Sequence, residues 1–503
     1  MNLDHIDKIK TVGDLKASGY KSRSIKEELR SNLIRTIQQD KATFPGILGY
    51  DNSVIPDLQR AILARHNIIL LGLRGQAKTR IARQMMELLD DYIPVIAGSE
   101  LNDDPFYPLS RYAKDLLAEK GDNTPIHWIH RNERYTEKLA TPDVSVADLI
   151  GDVDPIKAAS LKLPYADERV IHFGLLPRSH RGIFVINELP DLQARIQVAL
   201  FNILQEGDVQ IRGFKIRLPL DIQFVFTANP EDYTNRGAIV TPLKDRIESQ
   251  ILTHYPRNLQ IARQITDQES SIPAETKSRV SCHELIKDLV EQISFEARQS
   301  EYIDAKSGVS ARISISAMEN IFSAAERRML IKREDSTFIR ISDFVGVIPA
   351  ITGKIELVYE GEQEGSAKVA HTLIGKAIRS QFPEYFPDPE KMKRQQDTTP
   401  YQKVVNWFSE GHHLDLLCDV SQREYEASLN QVPGLKELVK KYHPDVDKDT
   451  QLLYMELVLF GLAEFSFLSK YQMEEGIQFK DLLSSMLTIS EEDEDEIDTE
   501  RYP

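Results

Sequence analysis

The first half of the chain alternates short, mostly apolar runs with longer segments in which apolar residues recur every three or four positions. An apolar run too short for a helix is typical of a strand buried on both faces of a parallel sheet, whereas the longer spacing is typical of a helix with one buried face. Strands that alternate with helices predict an α/β domain with a doubly wound parallel sheet. The strand-like runs lie at residues 67–71, 93–98, 125–131, 181–189, 221–230 and 250–256.

After residue 257 the pattern is mainly helical, with one break that is rich in proline and charge and is therefore typical of a linker. Within the α/β domain, a long segment with several prolines and glycines predicts a projecting insertion, and an alternating pattern around Gly213 predicts a hairpin. The predicted order is a helical N-terminal lead-in at 1–43, the α/β domain at 44–256 with its insertion at 132–175 and hairpin at 208–219, a helical segment at 257–382, the linker at 383–402, a helical C-terminal domain at 403–489 and an acidic tail at 490–503.

The net charge of −16 is concentrated at one end, because residues 491–500 alone carry eight carboxylates and no base. The rest of the chain has an ordinary charge balance, and no basic patch indicates nucleic-acid binding. The longest apolar run, at 452–468, contains Glu456 and Glu464, which favours a buried helix over a membrane span. The N-terminal residues contain no apolar signal segment, and the two cysteines lie far apart, so we expect a cytoplasmic protein.

The run at 67–71 is followed at once by a glycine-containing loop, a Lys-Thr pair and a segment with helical spacing, which is typical of a phosphate-binding P-loop. In such a loop backbone N–H groups point at phosphate oxygens, the lysine reaches the β and γ phosphates, and the hydroxyl of Thr79 binds Mg²⁺. Ala77 occupies the position of the second glycine in the common pattern. An ordinary strand–turn–helix connection is the alternative. The predicted nucleotide-binding residues are Gly72, Leu73, Arg74, Gly75, Gln76, Ala77, Lys78 and Thr79.

Polar residues end two further predicted strands: Asn187 and Glu188 follow one apolar run, and Asn229 follows another. In an open α/β sheet ligands bind at the carboxyl ends of the strands, which is where Gly72 also falls. Beside a bound nucleotide, Glu188 would orient and polarise the water that attacks the γ-phosphate. Taken alone, Glu188 would only cap a helix, and Asn229 would only mark a turn.

Together these motifs resemble the AAA+ ATPases, and within them the branch that holds the magnesium-chelatase ATPase subunit and the MoxR-type chaperones. The resemblance implies an AAA+ P-loop core with an α-helical lid, ATP and Mg²⁺ as cofactors, and ATP hydrolysis. MoxR-type loops commonly have alanine before the lysine, which makes Ala77 a family trait. The resemblance runs from about Phe44 to Phe382, and its carriers are FPGILGY at 44–50, GLRGQAKT at 72–79, GLLPRSHRGIFVINEL at 174–189, the hairpin, TANPEDY at 227–233 and TPLKDRIESQI at 241–251.

The resemblance also assigns roles to single residues. Asn187 stands where the family usually has an aspartate that helps to hold Mg²⁺, and Asn229 matches the sensor that positions the attacking water. Arg246 matches the arginine finger that contacts the neighbouring subunit's nucleotide; a solvated surface arginine is the alternative. Arg312, at a predicted helix start, matches the lid residue that contacts the γ-phosphate.

As a function, the resemblance implies a ring, expected to be a hexamer, that hydrolyses ATP and remodels or activates a partner protein. The predicted insertion and hairpin match places where this branch carries added elements, and both could push on a partner. Proteins of this branch often work with a von Willebrand A domain, whose metal site requires the pattern D-x-S-x-S. The chain lacks that pattern, so such a partner has to be a separate chain.

Three other functions remain open. The chain could be the ATPase subunit of a metal chelatase, although residues 383–503 have no recognised counterpart there. An enhancer-binding transcription activator shares the core, but its GAFTGA-like loop and its helix-turn-helix are not visible, and an acidic C-terminus would repel DNA. A nucleotide-dependent scaffold with slow hydrolysis is the third, on account of Asn187.

Overall fold

The structure is a computed structural model that describes residues 6, 8–165, 167–211, 214, 217–229, 239–394, 399–473 and 476–482. The chain divides into two compact units, Met1–Tyr255 and Pro256–Pro503. The N-terminal unit contains the strands β1 (Ile68–Leu71), β2 (Tyr92–Ile96), β3 (Ile126–His130), β4 (Tyr135–Leu139), β5 (Gly151–Val153), β6 (Ile171–Phe173), β7 (Gly182–Asn187), β8 (Asp208–Gln210), β9 (Arg217–Pro219), β10 (Ile222–Ala228) and β11 (Ser249–Leu252).

Five parallel strands form the central sheet of the N-terminal unit, in the order β11-β1-β10-β7-β4. Successive side chains of a strand point to opposite faces, and both faces of this sheet are covered. On β1, Ile68 and Leu70 pack in one core with Ile81, whereas Ile69 and Leu71 pack in the other. Burial on both faces explains why these strands appear in the sequence as continuous apolar runs, and it confirms the predicted α/β parallel sheet.

The helices of the N-terminal unit cover this sheet. The helix Lys78–Gln84, here called the P-loop helix, lies on one face with Ile25–Gln38 and Val54–Leu63, and Ala194–Glu206 lies on the other. Residues of the predicted N-terminal lead-in, such as Leu29 and Leu33, are thus part of the α/β core. The remaining helices are Val12–Ala17, Arg111–Lys120, Val146–Leu149, Pro155–Leu161, Leu175–Arg178 and Thr241–Asp245.

The predicted insertion at 132–175 is wrong at its start. Residues 135–139 form β4, which pairs with β7 and closes one edge of the central sheet. This edge strand is polar and only partly buried, so its sequence, YTEKL, contains no apolar run that would mark a strand. The rest of the segment contains two short helices and the antiparallel pair of β5 and β6.

Two of the predicted strands lie outside the central sheet. β2 and β3 pair antiparallel with each other and form a separate two-stranded sheet. β8 and β9 pair antiparallel across the predicted hairpin, and residues 212–213 and 215–216 of that hairpin lie outside the described residues. The predicted acidic tail at 490–503 also lies outside them.

The C-terminal unit is largely helical and contains one large hydrophobic core, to which residues of both predicted helical regions contribute, such as Leu289 and Leu453. Its strands are β12 (Val280–Ser281), β13 (Thr337–Phe338), β14 (Leu414–Leu417), β15 (Ser469–Met473) and β16 (Gly476–Lys480), the last three forming an antiparallel sheet. Its helices are Leu259–Glu269, Ala274–Arg279, Glu284–Gln299, Arg312–Lys332, Ile348–Thr352, Tyr359–Glu364, Ser366–Tyr385, Pro389–Arg394, Gln402–Ser409, Gln422–Leu429, Leu435–Tyr442 and Lys448–Glu464.

The long apolar run at 452–468 forms most of the helix Lys448–Glu464, which is buried, as predicted. Its Glu456 accepts hydrogen bonds from the backbone N–H groups of Ile341 and Ser342 and from the hydroxyl of Tyr425, and burial raises the pKa of its carboxyl. Within the described part of the chain, no helix is long and apolar enough to cross a membrane.

A buried ion pair joins the N-terminal helix Ile25–Gln38 to the start of β4. The guanidinium of Arg134 donates to both carboxylate oxygens of Glu28, at 2.8 and 2.7 Å, and its Nε donates to the carbonyl of Arg181. Glu28 also accepts from the backbone N–H of Asp90. Because both charges are shielded from water, removal of either leaves the other uncompensated.

We therefore expect Glu28→Gln to lower the free energy of unfolding of the N-terminal unit by about 3–5 kcal/mol. The neighbouring Glu27→Gln, which removes only a partly exposed pair with Arg65, should cost at most about 1 kcal/mol. Urea unfolding followed by the fluorescence of Trp128 measures both, in a Trp407→Phe background that leaves a single tryptophan. Equal, small shifts in the two variants would contradict the prediction.

Candidate functional site

The ends of three adjacent strands meet at the carboxyl edge of the central sheet. Leu71, the last residue of β1, lies opposite Ala228 on β10, and Phe226 lies opposite Ile186 on β7. Gly72 directly follows β1, and Asn229 directly follows β10. Glu188 directly follows Asn187, the last residue of β7. The backbone N–H of Gly72 donates to the carbonyl of Ala228 at 3.2 Å. The strand register thus brings the predicted residues to one edge.

The loop that leaves β1 is closely packed and contains two residues with positive φ. A side chain on Gly72 is excluded, since an added Cβ would lie 1.8 Å from Oγ1 of Thr253. Gly75 and Ala77 both have positive φ, +74° and +58°, a conformation that favours glycine. Ala77 thus occupies a glycine-like conformation, which matches the glycine of the common pattern at this position.

Three polar side chains behind the loop hold it in place. The hydroxyl of Tyr50 donates to the carbonyls of Gln76 and His254, at 3.0 and 2.7 Å, and burial raises the pKa of Tyr50 to about 12. The hydroxyl of Thr253 donates to Oε1 of Gln76, and that of Tyr255 donates to the carbonyl of Arg74. These supports could not be predicted from the sequence, because they lie far from the loop in the chain.

Lys78 begins the P-loop helix and is buried at the mouth of the loop. Its Nζ donates to the carbonyls of Gly72 and Leu73, the latter at 3.0 Å, so the ammonium group is held by the backbone of the loop itself. Thr79 follows on the same helix and is half-buried. The Lys78 side chain therefore lies at the loop, and the phosphate and metal roles predicted for Lys78 and Thr79 stay predictions.

The turn after β7 holds Glu188 in a strained conformation. Glu188 has φ +55°, which is rare for a residue with a side chain and costs about 1–2 kcal/mol. Its N–H donates to the hydroxyl of Thr227 at 3.2 Å, and that hydroxyl donates to Oδ1 of Asn187 at 3.1 Å. Strain of this kind is common at functional sites, where surrounding structure enforces it.

A carboxylate that was not predicted lies beside Asn187. The amide of Asn187 donates through Nδ2 to Oε1 of Glu137, at 2.5 Å. The other oxygen of Glu137 accepts from Nε of Arg83, on the P-loop helix, and from the hydroxyl of Tyr135. Burial is the main cause that raises the pKa of the Tyr135 hydroxyl, and the negative charge of Glu137 is the second. The hydroxyl therefore stays protonated and donates. Only strand alternation in YTEKL would have indicated Glu137 from the sequence.

The other predicted residues lie in three different settings. Asn229 is buried directly after β10. Arg246 is half-exposed at the end of the helix Thr241–Asp245, where its guanidinium donates to Oε1 of Gln205 and to the carbonyl of Pro242. Arg312 is exposed at the first turn of the helix Arg312–Lys332 in the C-terminal unit. The roles predicted for these three side chains stay predictions.

The donor set at the edge of the sheet suits Mg²⁺ bound together with phosphates. Mg²⁺ keeps several waters and takes one or two protein oxygens when phosphates supply the rest. Thr79 offers a hydroxyl, Asn187 an amide oxygen and Glu137 a carboxylate. Among the described residues, no group of three or more histidine, cysteine, aspartate or glutamate side chains could hold a metal ion on its own.

The parallel sheet, with the loop and the helix that follow its β1 strand, has the arrangement of an α/β P-loop core. No family model matches the chain. The chain is 23% identical over 213 residues to the magnesium-chelatase 38 kDa subunit of Cereibacter sphaeroides, which covers 41% of this chain and 57% of that subunit. The chain therefore spans little more than half of this relative. This similarity confirms the predicted resemblance to AAA+ ATPases of the magnesium-chelatase type.

Two solved structures show weaker likeness. One is the complex of the magnesium-chelatase subunits BchI and BchD, with 16% identity, a TM-score of 0.31, and 64% of this chain and 98% of that chain covered. The other is Hsp104 with ATPγS and casein. It has 12% identity and a TM-score of 0.37, and the match covers 65% of this chain and 52% of that chain.

The left-handed conformation at Ala77 leads to a stability prediction of unusual sign. Ala77→Gly should raise the free energy of unfolding by up to about 1 kcal/mol. Glycine relieves the backbone strain of the folded state, and the greater conformational entropy of glycine in the unfolded chain cancels only part of that gain. Ala77→Val should lower it by about 1–3 kcal/mol, since a branched side chain tolerates positive φ poorly. Chemical denaturation measures both.

Ala64→Gly is the matched control, because Ala64 has an ordinary right-handed conformation at a helix end. There glycine should destabilise, by about 0.5–1 kcal/mol. Loss of stability in Ala77→Gly equal to that in Ala64→Gly would show that the backbone at Ala77 is not strained.

Proposed function

We propose that the protein binds ATP with Mg²⁺ at the carboxyl edge of the central sheet and hydrolyses it to ADP and phosphate. The observation that carries this proposal is the loop after β1, with its glycine-like backbone at Ala77 and Lys78 buried at its mouth, beside the strained Glu188. The similarity to a magnesium-chelatase subunit supports the same class of protein.

Each residue at this edge has a role in the proposed reaction. The N–H groups of the loop and the ammonium of Lys78 would hold the phosphates, with Thr79 and Asn187 on the metal side. When bound, Mg²⁺ neutralises charge on the β and γ phosphates. Glu188 would orient and accept a proton from a water that attacks the γ-phosphorus, while Asn229 positions the same water.

In this attack the water oxygen bonds to phosphorus as the bond between the γ-phosphorus and the β–γ bridging oxygen breaks, which leaves ADP and inorganic phosphate. The charge that develops on the transferred group needs a cation. Arg246, which is half-exposed, would supply it from a neighbouring subunit, and Arg312 from the lid. An active site of this kind is complete only in an assembly, for which we propose a hexameric ring.

The ring would use ATP hydrolysis to remodel or activate a partner protein, which could carry a von Willebrand A domain on a separate chain. The second candidate is the ATPase subunit of a metal chelatase, favoured by the named relative. The remodelling role stays the first candidate, because the match covers only 41% of this chain and 57% of that subunit, too little to transfer the subunit's whole activity.

We expect Lys78→Ala to abolish detectable ATP binding, because it removes the cation at the mouth of the loop. The fold should persist, since the lysine head group contacts loop carbonyls and supports no hydrophobic core. Titration with a fluorescent ATP analogue measures binding, and circular dichroism checks folding. Lys114→Ala, at an exposed lysine on the helix Arg111–Lys120, is the control and should bind as the wild type does. Unchanged affinity in Lys78→Ala would overturn the proposed function.

We expect hydrolysis to need two subunits at each site. Arg246→Ala and Glu188→Gln proteins should each be nearly inactive, the first by roughly 10³–10⁵-fold if the arginine acts as a finger. Mixing them should restore turnover, because some interfaces then pair an intact Glu188 with an intact Arg246. Steady-state phosphate release over a range of protein concentrations measures this.

The control for the mixing experiment is Glu188→Gln combined with the double variant Glu188→Gln/Arg246→Ala. That mixture contains no intact Glu188, so it should stay inactive. Full activity of the Arg246→Ala protein alone, or activity of a protein that stays monomeric with ATP, would show that Arg246 does not act between subunits.

A further inference from the structure

We propose that Glu137 supplies the negative charge that Asn187 lacks, so that an Asn–Glu pair on two neighbouring strands forms the metal-side acid of the nucleotide site. The proposal deepens the proposed function and rests on it. Glu137 lies in the segment that the sequence predicts to be an insertion, outside every motif that carries the resemblance.

The strand register places Glu137 on the correct face of the sheet. Glu137 on β4 lies opposite Val185 on β7, and Asn187 lies two positions further along β7. Side chains two positions apart share a face, so Glu137 is diagonal to Asn187 across the two strands. Val185 packs in the same core as Ile81 of the P-loop helix. The carboxylate therefore lies on the face that carries the phosphate loop and its helix.

The hydrogen bonds of Asn187 fix which of its atoms faces the acid. Its Oδ1 accepts from the hydroxyl of Thr227, so its Nδ2 donates to Glu137. An aspartate at position 187 would place a second carboxylate against the first at this short separation, and the two would repel. The two side chains are thus complementary. The neutral amide of Asn187 allows the carboxylate of Glu137 to lie beside it, and Glu137 supplies the whole negative charge of the pair.

Glu137 also reaches the P-loop helix. Its Oε2 accepts from Nε of Arg83 at 2.9 Å, and Arg83 lies one turn beyond Thr79, on the same side of the helix. The side chain of Arg83 is 63% exposed, and an exposed partner of this kind holds a carboxylate only weakly. The carboxylate is therefore able to turn towards a divalent cation that arrives with the nucleotide.

The chemistry of Mg²⁺ fits a carboxylate in this place. Mg²⁺ is a hard cation that binds oxygen and often contacts a protein carboxylate through one of its waters. Residues that hold a metal through such outer contacts change its affinity by roughly 10- to 100-fold when they are removed. Glu137 would act in this way as a positioning residue, with Asn187 orienting it.

The experiment measures how Mg²⁺ tightens the binding of a fluorescent ATP analogue, in a Glu188→Gln background that prevents turnover. Glu137→Gln should raise the Mg²⁺ concentration needed for half-maximal tightening by roughly 10- to 100-fold, while affinity in EDTA stays unchanged. Glu119→Gln, at an exposed acid of the helix Arg111–Lys120, is the control and should behave as the background does.

The decisive variant is the exchange Glu137→Gln/Asn187→Asp, which keeps the total charge and moves it from β4 to β7. It should restore the Mg²⁺ response to within about threefold of the background, because charge and not the glutamate side chain is what the metal requires. Asn187→Asp alone gives two carboxylates and should lower the Mg²⁺ requirement. A purely structural role of Glu137 would not be repaired by the exchange.

The outcomes separate this inference from the proposed function. If the background protein binds no nucleotide, the proposed function fails. If it binds with a Mg²⁺ response that Glu137→Gln leaves intact, only the inference is overturned. Equal weakening in Mg²⁺ and in EDTA, or no repair by the exchange, overturns it as well. Should Glu137→Gln fail to fold, the exchange variant alone decides, since it must then show the background's Mg²⁺ response.

Discussion

The parallel pairing of β1 with β10 is the constraint on which the site depends. The sheet is buried on both faces, so polar chemistry is confined to the edge where the strands end. The register of Leu71 with Ala228 then determines which polar residues become neighbours. Gly72 follows directly and packs so closely against Thr253 that a Cβ has no space. The positions of the loop and of the buried Asn229 follow from this alignment, and the pairing of Phe226 with Ile186 adds the turn at Glu188.

The buried strands also maintain conformations that the local sequence disfavours. Ala77 and Glu188 both have positive φ, each at a cost of about 1–2 kcal/mol. Ala77 lies in the loop after the buried strand β1, where the hydroxyl of Tyr50 donates to the carbonyl of the preceding residue, Gln76. Glu188 directly follows the buried strand β7, and its N–H donates to the hydroxyl of Thr227. The hydrophobic cores on the two faces of the sheet offset this strain, which places the loop and the acid in defined positions before any ligand binds.

The edge strand β4 connects the N-terminal helix to the metal side of the proposed site. Glu28 on the helix Ile25–Gln38 binds Arg134, which directly precedes β4, and Glu137 lies three residues further along. The buried ion pair therefore fixes the strand that carries the carboxylate beside Asn187. Under the proposed function, the N-terminal segment is part of the nucleotide site's support, although it contributes no residue to the site itself.

The sequence alone determined the class of fold and the position of the loop, because buried parallel strands and a glycine-containing loop leave strong local patterns: apolar runs at β1, β7 and β10, and Lys78-Thr79 after the loop. Only the tertiary structure showed that residues 135–139 belong to the sheet, since a polar edge strand has no apolar run. It alone brought Glu137 to Asn187, and Tyr50 to Gln76, because contacts between distant residues depend on strand register and helix packing. Neither can be inferred from residue spacing along the chain.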